Sequence, residues 1–311
     1  MMTVLWVVLG LAIITLLISY VCFRMAFLVV KRSKAEIPPG KAYEPYRPVL
    51  KKWMEEARKM PCEEMEITSF DGLKLRGKYY ECIPGAPMEL MLHGYRGNGE
   101  RDLCGGIQRA FALGRNVLIP DQRAGGRSEG RVITFGINES KDCVTWLEHI
   151  EKRFGPDVKV IITGVSMGAA TVMMAAGREL PKCVVGVLAD CGYTSPRAII
   201  KKVIRDMKLP ADLLYPFVRL GAIVFGRFDP DSYSPEEAMA NCKLPVIFVH
   251  GEADDFVPCE MTRRNYELCT GPKVLLTVPG AGHGLSYPAA PERYIRTLKD
   301  FNAAMGIPEV K

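Results

Sequence analysis

Ser166 stands in Gly164-Val165-Ser166-Met167-Gly168, a serine with a glycine two positions away on each side. Its hydroxyl is a candidate nucleophile for acyl transfer, provided that a base takes the proton. The pentapeptide alone is a weak signal: with ten serines and 29 glycines in 311 residues, chance supplies about 0.09 matches in a chain of this composition. Its flanks add the weight. Residues 158–163 form a strand-like apolar run entering the motif, and residues 169–176 form a helix-forming run leaving it. Ser166 is therefore expected on a sharp strand-to-helix turn, where glycines are needed because a tight, strained turn leaves no room for Cβ atoms.

The base must come from four histidines. His149 lies in a helical stretch and reads as a surface residue, while His93 and His250 each end a strand before a glycine and suit loop shaping. His283, in Gly280-Ala281-Gly282-His283-Gly284 after the last apparent strand, has the mobility to reach across a sheet edge. It also falls last in the chain order Ser, Asp, His that a strand-turn-helix nucleophile uses. The orienting acid is sought after the run 246–249, in His250-Gly251-Glu252-Ala253-Asp254-Asp255-Phe256-Val257-Pro258. Adjacent carboxylates cannot both face one imidazole, so Asp254 is chosen. Asp255 is left solvated or bonded within its loop, and Glu252 stands a distant third. A tetrahedral intermediate further requires two N–H donors for its oxyanion. Met167, the residue after the nucleophile, supplies one. Tyr95 in His93-Gly94-Tyr95-Arg96-Gly97 supplies the other through its main chain; the plainer reading of that loop is a glycine-rich turn without a ligand.

These residues need a sheet to bring them together. A hairpin is read from residues 65–69, the turn Phe70-Asp71-Gly72 and residues 73–81. Apolar runs at 89–92, 116–119, 158–163, 183–188, 246–249 and 274–278 then alternate with helix-length stretches. Runs without polar alternation suit strands buried on both faces, so a parallel sheet covered by helices is expected. About fifty residues separate the fourth of these runs from the fifth, far more than an ordinary connection. Helical patterns at 198–207 and 213–225, divided by Pro210, make this stretch a lid over the carboxyl edge of the sheet, against the blander alternative of a surface insertion.

Residues 1–23 carry no charged side chain, and 4–23 is about the length that crosses a bilayer core. A membrane anchor is preferred to a cleaved signal peptide because Met1-Met2-Thr3 offers no basic n-region and Arg24-Met25 no small-residue cleavage site. Arg24, Lys31, Arg32 and Lys34 follow, which favours a cytoplasmic body. Setting those four aside leaves 37 basic against 35 acidic residues, so the formal charge of +6 is local and no nucleic-acid face is indicated. Ile37-Pro38-Pro39-Gly40 reads as a linker, and Leu50, Trp53, Met54 and Ala57 as the apolar face of a short helix over residues 47–60. The expected organisation is an anchor at 1–24, a basic juxtamembrane linker with an amphipathic helix at 25–60, and one α/β domain at 61–311 with its cap at about 193–243. Ten cysteines without C-x-x-C or zinc spacing suit a reducing compartment, although an even count leaves disulfides possible.

With H-G-Y-R-G, D-Q-R-A-G-G-R-S at Asp121 to Ser128, G-V-S-M-G, H-G-E-A-D-D-F-V-P and the late G-H-G in this order, the chain from about Met65 onward resembles an α/β-hydrolase. In particular it is similar to membrane-anchored bacterial hydrolases of the serine aminopeptidase and lysophospholipase-like group. The resemblance implies an eight-stranded, mostly parallel sheet, a triad of Ser166, Asp254 and His283, and an oxyanion hole at Tyr95 and Met167. It also implies that Arg123 or Arg127 fixes the Asp121 to Ser128 stretch beside the site. Ala124 departs from the glycine that related sequences often carry there, with a small expected effect on loop shape. The function implied is hydrolysis of an acyl ester or lipid-like substrate, with no metal or organic cofactor called for. A serine peptidase of the same fold and a non-catalytic, membrane-tethered binding protein are the alternatives.

Overall fold

Eight strands make one sheet in the order β1-β2-β4-β3-β5-β6-β7-β8. They are β1 (Glu63–Thr68), β2 (Lys74–Tyr80), β3 (Met88–Leu92), β4 (Asn116–Pro120), β5 (Val160–Val165), β6 (Val184–Asp190), β7 (Val246–Gly251) and β8 (Lys273–Val278). The computed structural model describes residues 1–30 and 36–307, so Lys31, Arg32 and Lys34 of the basic cluster lie outside the described residues. Strands β1, β2 and β4 pair antiparallel, and every pair from β4 through β8 is parallel. The hairpin forms where the sequence places it, with the Leu73 N–H donating to Ser69 Oγ at 2.8 Å across the turn. At the edge, β1 alternates buried and exposed residues, whereas β3 and β4 are buried throughout. That contrast is the one between a half-solvated edge and a doubly covered centre.

The helices are α1 (Met2–Ala26), α2 (Arg47–Lys59), α3 (Gly99–Asp102), α4 (Cys104–Ala112), α5 (Glu139–Phe154), α6 (Met167–Ala176), α7 (Pro196–Asp206), α8 (Ala211–Gly226), α9 (Pro235–Asn241), α10 (Cys259–Leu268), α11 (Ser286–Ala289) and α12 (Pro291–Ala304). Alternate residues of each strand serve opposite faces of the sheet. Ile162, Val187 and Phe248 pack with Trp146 of α5 and Val172 of α6, while Ile161, Leu188 and Val249 pack with Tyr294 and Leu298 of α12. Every residue of α6 is buried, as a helix apolar all round requires. A paired cluster of charges stands in this interior: Glu89 of β3 is fully enclosed, bonded to the buried Arg109, to the buried Arg115 at 3.0 Å and to the Thr163 hydroxyl at 2.9 Å. Complete pairing is what makes a buried carboxylate tolerable.

The long connection between β6 and β7 builds α7, α8 and α9. Ser195 caps α7 by accepting from the Ala198 N–H, with Pro196 next, and Pro210 separates α7 from α8. Of these, α7 and α8 pack on each other and with the end of α1 in a cluster apart from the central core. In α9, Ala238 and Met239 are wholly buried in the central core, so the last part of the 193–243 stretch belongs to the layer beside α6.

A second core lies above α6, and α1 takes part in it. Up to Ile18 no residue of α1 is buried; beyond it Ser19, Phe23 and then Phe27 sink against the cap. The close approach depends on Gly221 of α8, where a Cβ would stand 2.2 Å from the Ser19 carbonyl oxygen. Residues 27–29 are then stitched to the domain, with the Val29 N–H donating to Arg131 O at 2.8 Å and the Ile133 N–H to Phe27 O at 2.9 Å. The tether expected after residue 24 is thus built into the globular body for its first five residues. All ten cysteines are free thiols, seven of them buried.

Candidate active site

Parallel order reverses between β3 and β5: the chain leaves β3 to one side of the sheet and β5 to the other. Crevices outside the carboxyl ends of strands form at such a reversal, because the two loops diverge. Val165 ends β5, Ser166 turns the chain at φ 58° and ψ −119°, and α6 begins at Met167. The flanking glycines have specific causes. A Cβ on Gly164 would lie 2.1 Å from Gly168 O, and one on Gly168 would lie 2.0 Å from Leu92 O. The turn therefore exists only with glycine at both places.

His283 comes from the loop after β8. Its Nε2 is 2.9 Å from Ser166 Oγ and its Nδ1 is 2.7 Å from Asp254 Oδ2. A carboxylate at Nδ1 accepts, so the ring proton sits there and Nε2 keeps its lone pair for the serine hydroxyl. Asp254 is held from every side: its Oδ1 accepts from the Phe256 and Val257 N–H groups at 2.9 and 2.8 Å, and its Oδ2 lies 3.2 Å from His250 Nε2. Burial alone would raise the Asp254 carboxyl, but the hydrogen bonds from His250 and His283 outweigh it and hold it well below the usual carboxylate range. Asp255 points out to solvent, its carbonyl taken by Lys202, and Glu252 accepts from Thr277 at 2.6 Å. Of the three acids in that loop, Asp254 alone meets the imidazole.

The loop after β3 carries Tyr95. Among the described residues, the backbone N–H groups of Tyr95 and Met167 have no acceptor, which leaves both available to a ligand beside Ser166. Its shape comes from three sources. Gly94 N–H donates to Asp102 Oδ2 at 3.0 Å, and His93 Nε2 accepts from the Gln122 N–H at 2.9 Å. The third is the end of α1: the Tyr95 hydroxyl donates to Ala26 O at 2.7 Å, and Arg96 donates to Met25 O at 2.8 Å and Leu28 O at 3.2 Å. The Met25 and Ala26 carbonyls are among those that a helix end leaves without partners.

His93 and His250 shape loops, as their positions before glycine suggest. His250 Nε2 faces Val257 O at 2.8 Å and its Nδ1 faces Thr262 Oγ1 at 2.7 Å. His149 is half-buried beside Trp146. The Asp121 to Ser128 stretch supports His93 through Gln122 and is itself fixed by Arg123, which forks onto Asp142 at 2.6 and 2.7 Å and onto Asp71 at 2.9 and 3.0 Å. Among the described residues, the Arg127 side chain pairs with the exposed Glu64 and, at 3.9 Å, with Asp121. Ala124 adopts φ 63°, so the glycine-like conformation is kept and the alanine bears the strain.

Several neighbours of the site left little trace in the sequence. Tyr43 donates to His283 O at 3.0 Å, its hydroxyl pushed up to about 12 by burial and so always protonated. The Phe256 ring meets His283 edge-on with centroids 5.1 Å apart. Asp190 accepts from Ser286 and Tyr294, both at 3.0 Å, while its carbonyl accepts from the Ser166 N–H at 2.8 Å. A strand-terminal aspartate before Cys191-Gly192 was the only signal for the last. Cys191 brings its sulfur, with a ligating atom each from Asp254 and His283, within a group spanning 4.8 Å. Burial pushes that thiol far up, so it stays neutral, and the His283 and Asp254 atoms already satisfy one another. The donor set fits a hydrogen-bond relay better than a metal site.

The chain has the α/β-hydrolase fold. Residues 90–219 match the model of the alpha/beta hydrolase fold family. The chain superposes on the Pyrococcus furiosus esterase with a TM-score of 0.63 at 21% identity, covering 89% of this chain and 98% of that one. It superposes on Est1E of Butyrivibrio proteoclasticus, solved with ferulic acid bound, with a TM-score of 0.59 at 19% identity over 78% of this chain and 100% of that one. In sequence it is similar to the uncharacterized protein YqkD of Bacillus subtilis, 28% identical over 61% of this chain and 62% of that relative. Protein bem46 of Schizosaccharomyces pombe is likewise 28% identical, over 69% of this chain and 68% of its own length.

Proposed function

We propose that this α/β-hydrolase is a serine hydrolase that cleaves a carboxylic ester by acyl transfer. The observation that carries the reading is the unbroken hydrogen-bond line from Ser166 Oγ through the His283 ring to Asp254, at 2.9 and 2.7 Å. Ser166 attacks the acyl carbonyl while His283 Nε2 takes its proton, and Asp254 steadies the imidazolium that forms. The oxyanion is received by the N–H groups of Tyr95 and Met167. As the tetrahedral species collapses, the leaving alcohol takes the proton from His283. Water then repeats the sequence on the acyl-enzyme, releasing the carboxylic acid and restoring Ser166.

Ester cleavage is favoured over peptide cleavage for two reasons. An apolar cavity opens directly beside Ser166, and the superposed proteins from Pyrococcus and Butyrivibrio bear the name esterase or bind an aromatic acid. We further propose that α1, 25 residues long with an 18-residue stretch of mean hydropathy 2.6, crosses the membrane and that the domain faces the cytoplasm. Full-length protein in detergent should hydrolyse p-nitrophenyl butyrate and take up a fluorophosphonate at Ser166, and Ser166→Ala should do neither. Absence of both in the native chain, with ligand binding intact, would favour a non-catalytic scaffold. Faster cleavage of a matched aminoacyl amide would favour a peptidase.

A further inference from the structure

Two cavities meet at Ser166, and they differ in chemistry. One, of about 210 Å³, has a mixed wall, in which Tyr43, Asp102, Asp190 and His283 stand beside Leu50, Trp53 and Leu103. The other, of about 300 Å³, runs the opposite way under the cap, between Ile200 and Val203 of α7, Leu214 and Val218 of α8, and Cys22 and Met25 of α1. Its wall is almost entirely hydrocarbon, and one side of it is the helix read as the anchor. We infer that this second cavity holds one long acyl chain of a membrane lipid ester, that the end of α1 is a working wall of the acyl site, and that the chain enters from the bilayer alongside it. The inference rests on Ser166 being the nucleophile.

The geometry of α1 favours the bilayer as source. From Met2 to Ile18, where nothing is buried, the helix is about 25 Å long at the usual rise, short of the roughly 30 Å of a hydrocarbon core. Its last turns must therefore lie at membrane depth or at the interface, and the cap goes with them. There Phe225 of α8 packs on Tyr20 and Phe23 with ring centroids 5.1 and 5.9 Å apart. At the cavity rim, Met25, Met207 and Leu209 are 57%, 50% and 43% exposed, and Leu213 beside them is 64% exposed. An apolar rim continuous with an apolar helix excludes water and admits an alkyl chain. The mixed cavity, the more polar of the two, is left for the alcohol portion, so the substrate is an amphiphile whose ester lies at the junction of its two halves. Because Tyr95 and Arg96 hold the last carbonyls of α1, the same helix end that lines the acyl wall also positions an oxyanion donor.

The test compares kcat/KM of the full-length protein in detergent for p-nitrophenyl dodecanoate and acetate. The native ratio should exceed about ten, since each buried methylene contributes about 0.8 kcal/mol. Cys22→Trp on the anchor and Val218→Trp on the cap should each lower it at least about tenfold. With dodecanoate presented in phosphatidylcholine vesicles holding the enzyme, Leu213→Asp should lower the vesicle-to-detergent rate ratio at least about fivefold. A native ratio near one overturns the acyl site, as does a ratio that both tryptophan variants leave unchanged. An unchanged vesicle ratio overturns the route from the bilayer. Failure of the underlying reading looks different: the native chain would hydrolyse neither ester and would not be labelled at Ser166.

Discussion

Burial by itself would make Asp254 hard to ionise, and the structure spends two histidines and two backbone N–H groups to reverse that. Asp254→Asn keeps the shape but offers an amide where a carboxylate must fix the His283 tautomer. A loss of about 10⁴ in kcat is expected, measured on a short ester. The same carboxylate couples stability to pH. Its folded pKa lies below the unfolded value of 3.8, so its contribution is present above about pH 4 and is lost as the pH falls toward the folded value. Urea unfolding at about pH 5 and about pH 3 should therefore show a larger drop for the native chain than for Asp254→Asn. Ala124, at φ 63°, offers a milder test. Ala124→Gly relieves about 1 kcal/mol of left-handed strain and loses a comparable amount to chain entropy, so a change in unfolding free energy within about 1 kcal/mol is expected.

The turn between β5 and α6 tolerates no side chain at its two glycines, because carbonyl oxygens of Gly168 and Leu92 occupy the space. Gly168→Ala should cost more than about 3 kcal/mol and abolish fluorophosphonate labelling, whereas Ala176→Gly at the far end of α6 should cost only about 1 kcal/mol and leave labelling intact. The loop after β3 behaves differently, since its position depends on side chains reaching another element. Tyr95→Phe removes the hydroxyl bonded to Ala26 O and leaves a helix-end carbonyl short of a partner. About 1 kcal/mol of stability should go, read by thermal unfolding, and kcat should fall more than KM rises if Tyr95 supplies an oxyanion donor.

The molecule joins three layers: sheet and flanking helices, cap, and the end of α1. The first two are ordinary for an α/β fold with a lid, while the third ties the N-terminal helix to the site. Trimming separates tether from wall. A chain starting near Leu17 keeps Ser19, Phe23, Phe27 and the bonds from Tyr95 and Arg96. It should unfold close to the native temperature. A chain starting at Ile37 opens a cavity where Phe23 and Phe27 were buried at 4% and 0% exposure. Its melting temperature should fall by several degrees, with weaker labelling of Ser166.

Most of the sheet and the three residues Ser166, Asp254 and His283 were legible in one dimension. Doubly buried strands leave continuous apolar runs, the elbow needs glycine at two fixed offsets, and the order of nucleophile, acid and base follows the winding of the sheet. That only one of Asp254 and Asp255 faces the imidazole follows from neighbouring carboxylates pointing apart; the fold decides that it is Asp254. What stayed hidden depends on contacts between segments far apart in the chain. Tyr43, Phe256 and Asp190 touch the site through spacings of 24 to 240 residues that no local pattern announces. The apolar length of α1 reads as a span whatever its last turns touch, since hydropathy records what a residue prefers and not what it packs against. Only folding, which brings Gly221 against Ser19 and Tyr95 against Ala26, makes the end of that helix part of the site.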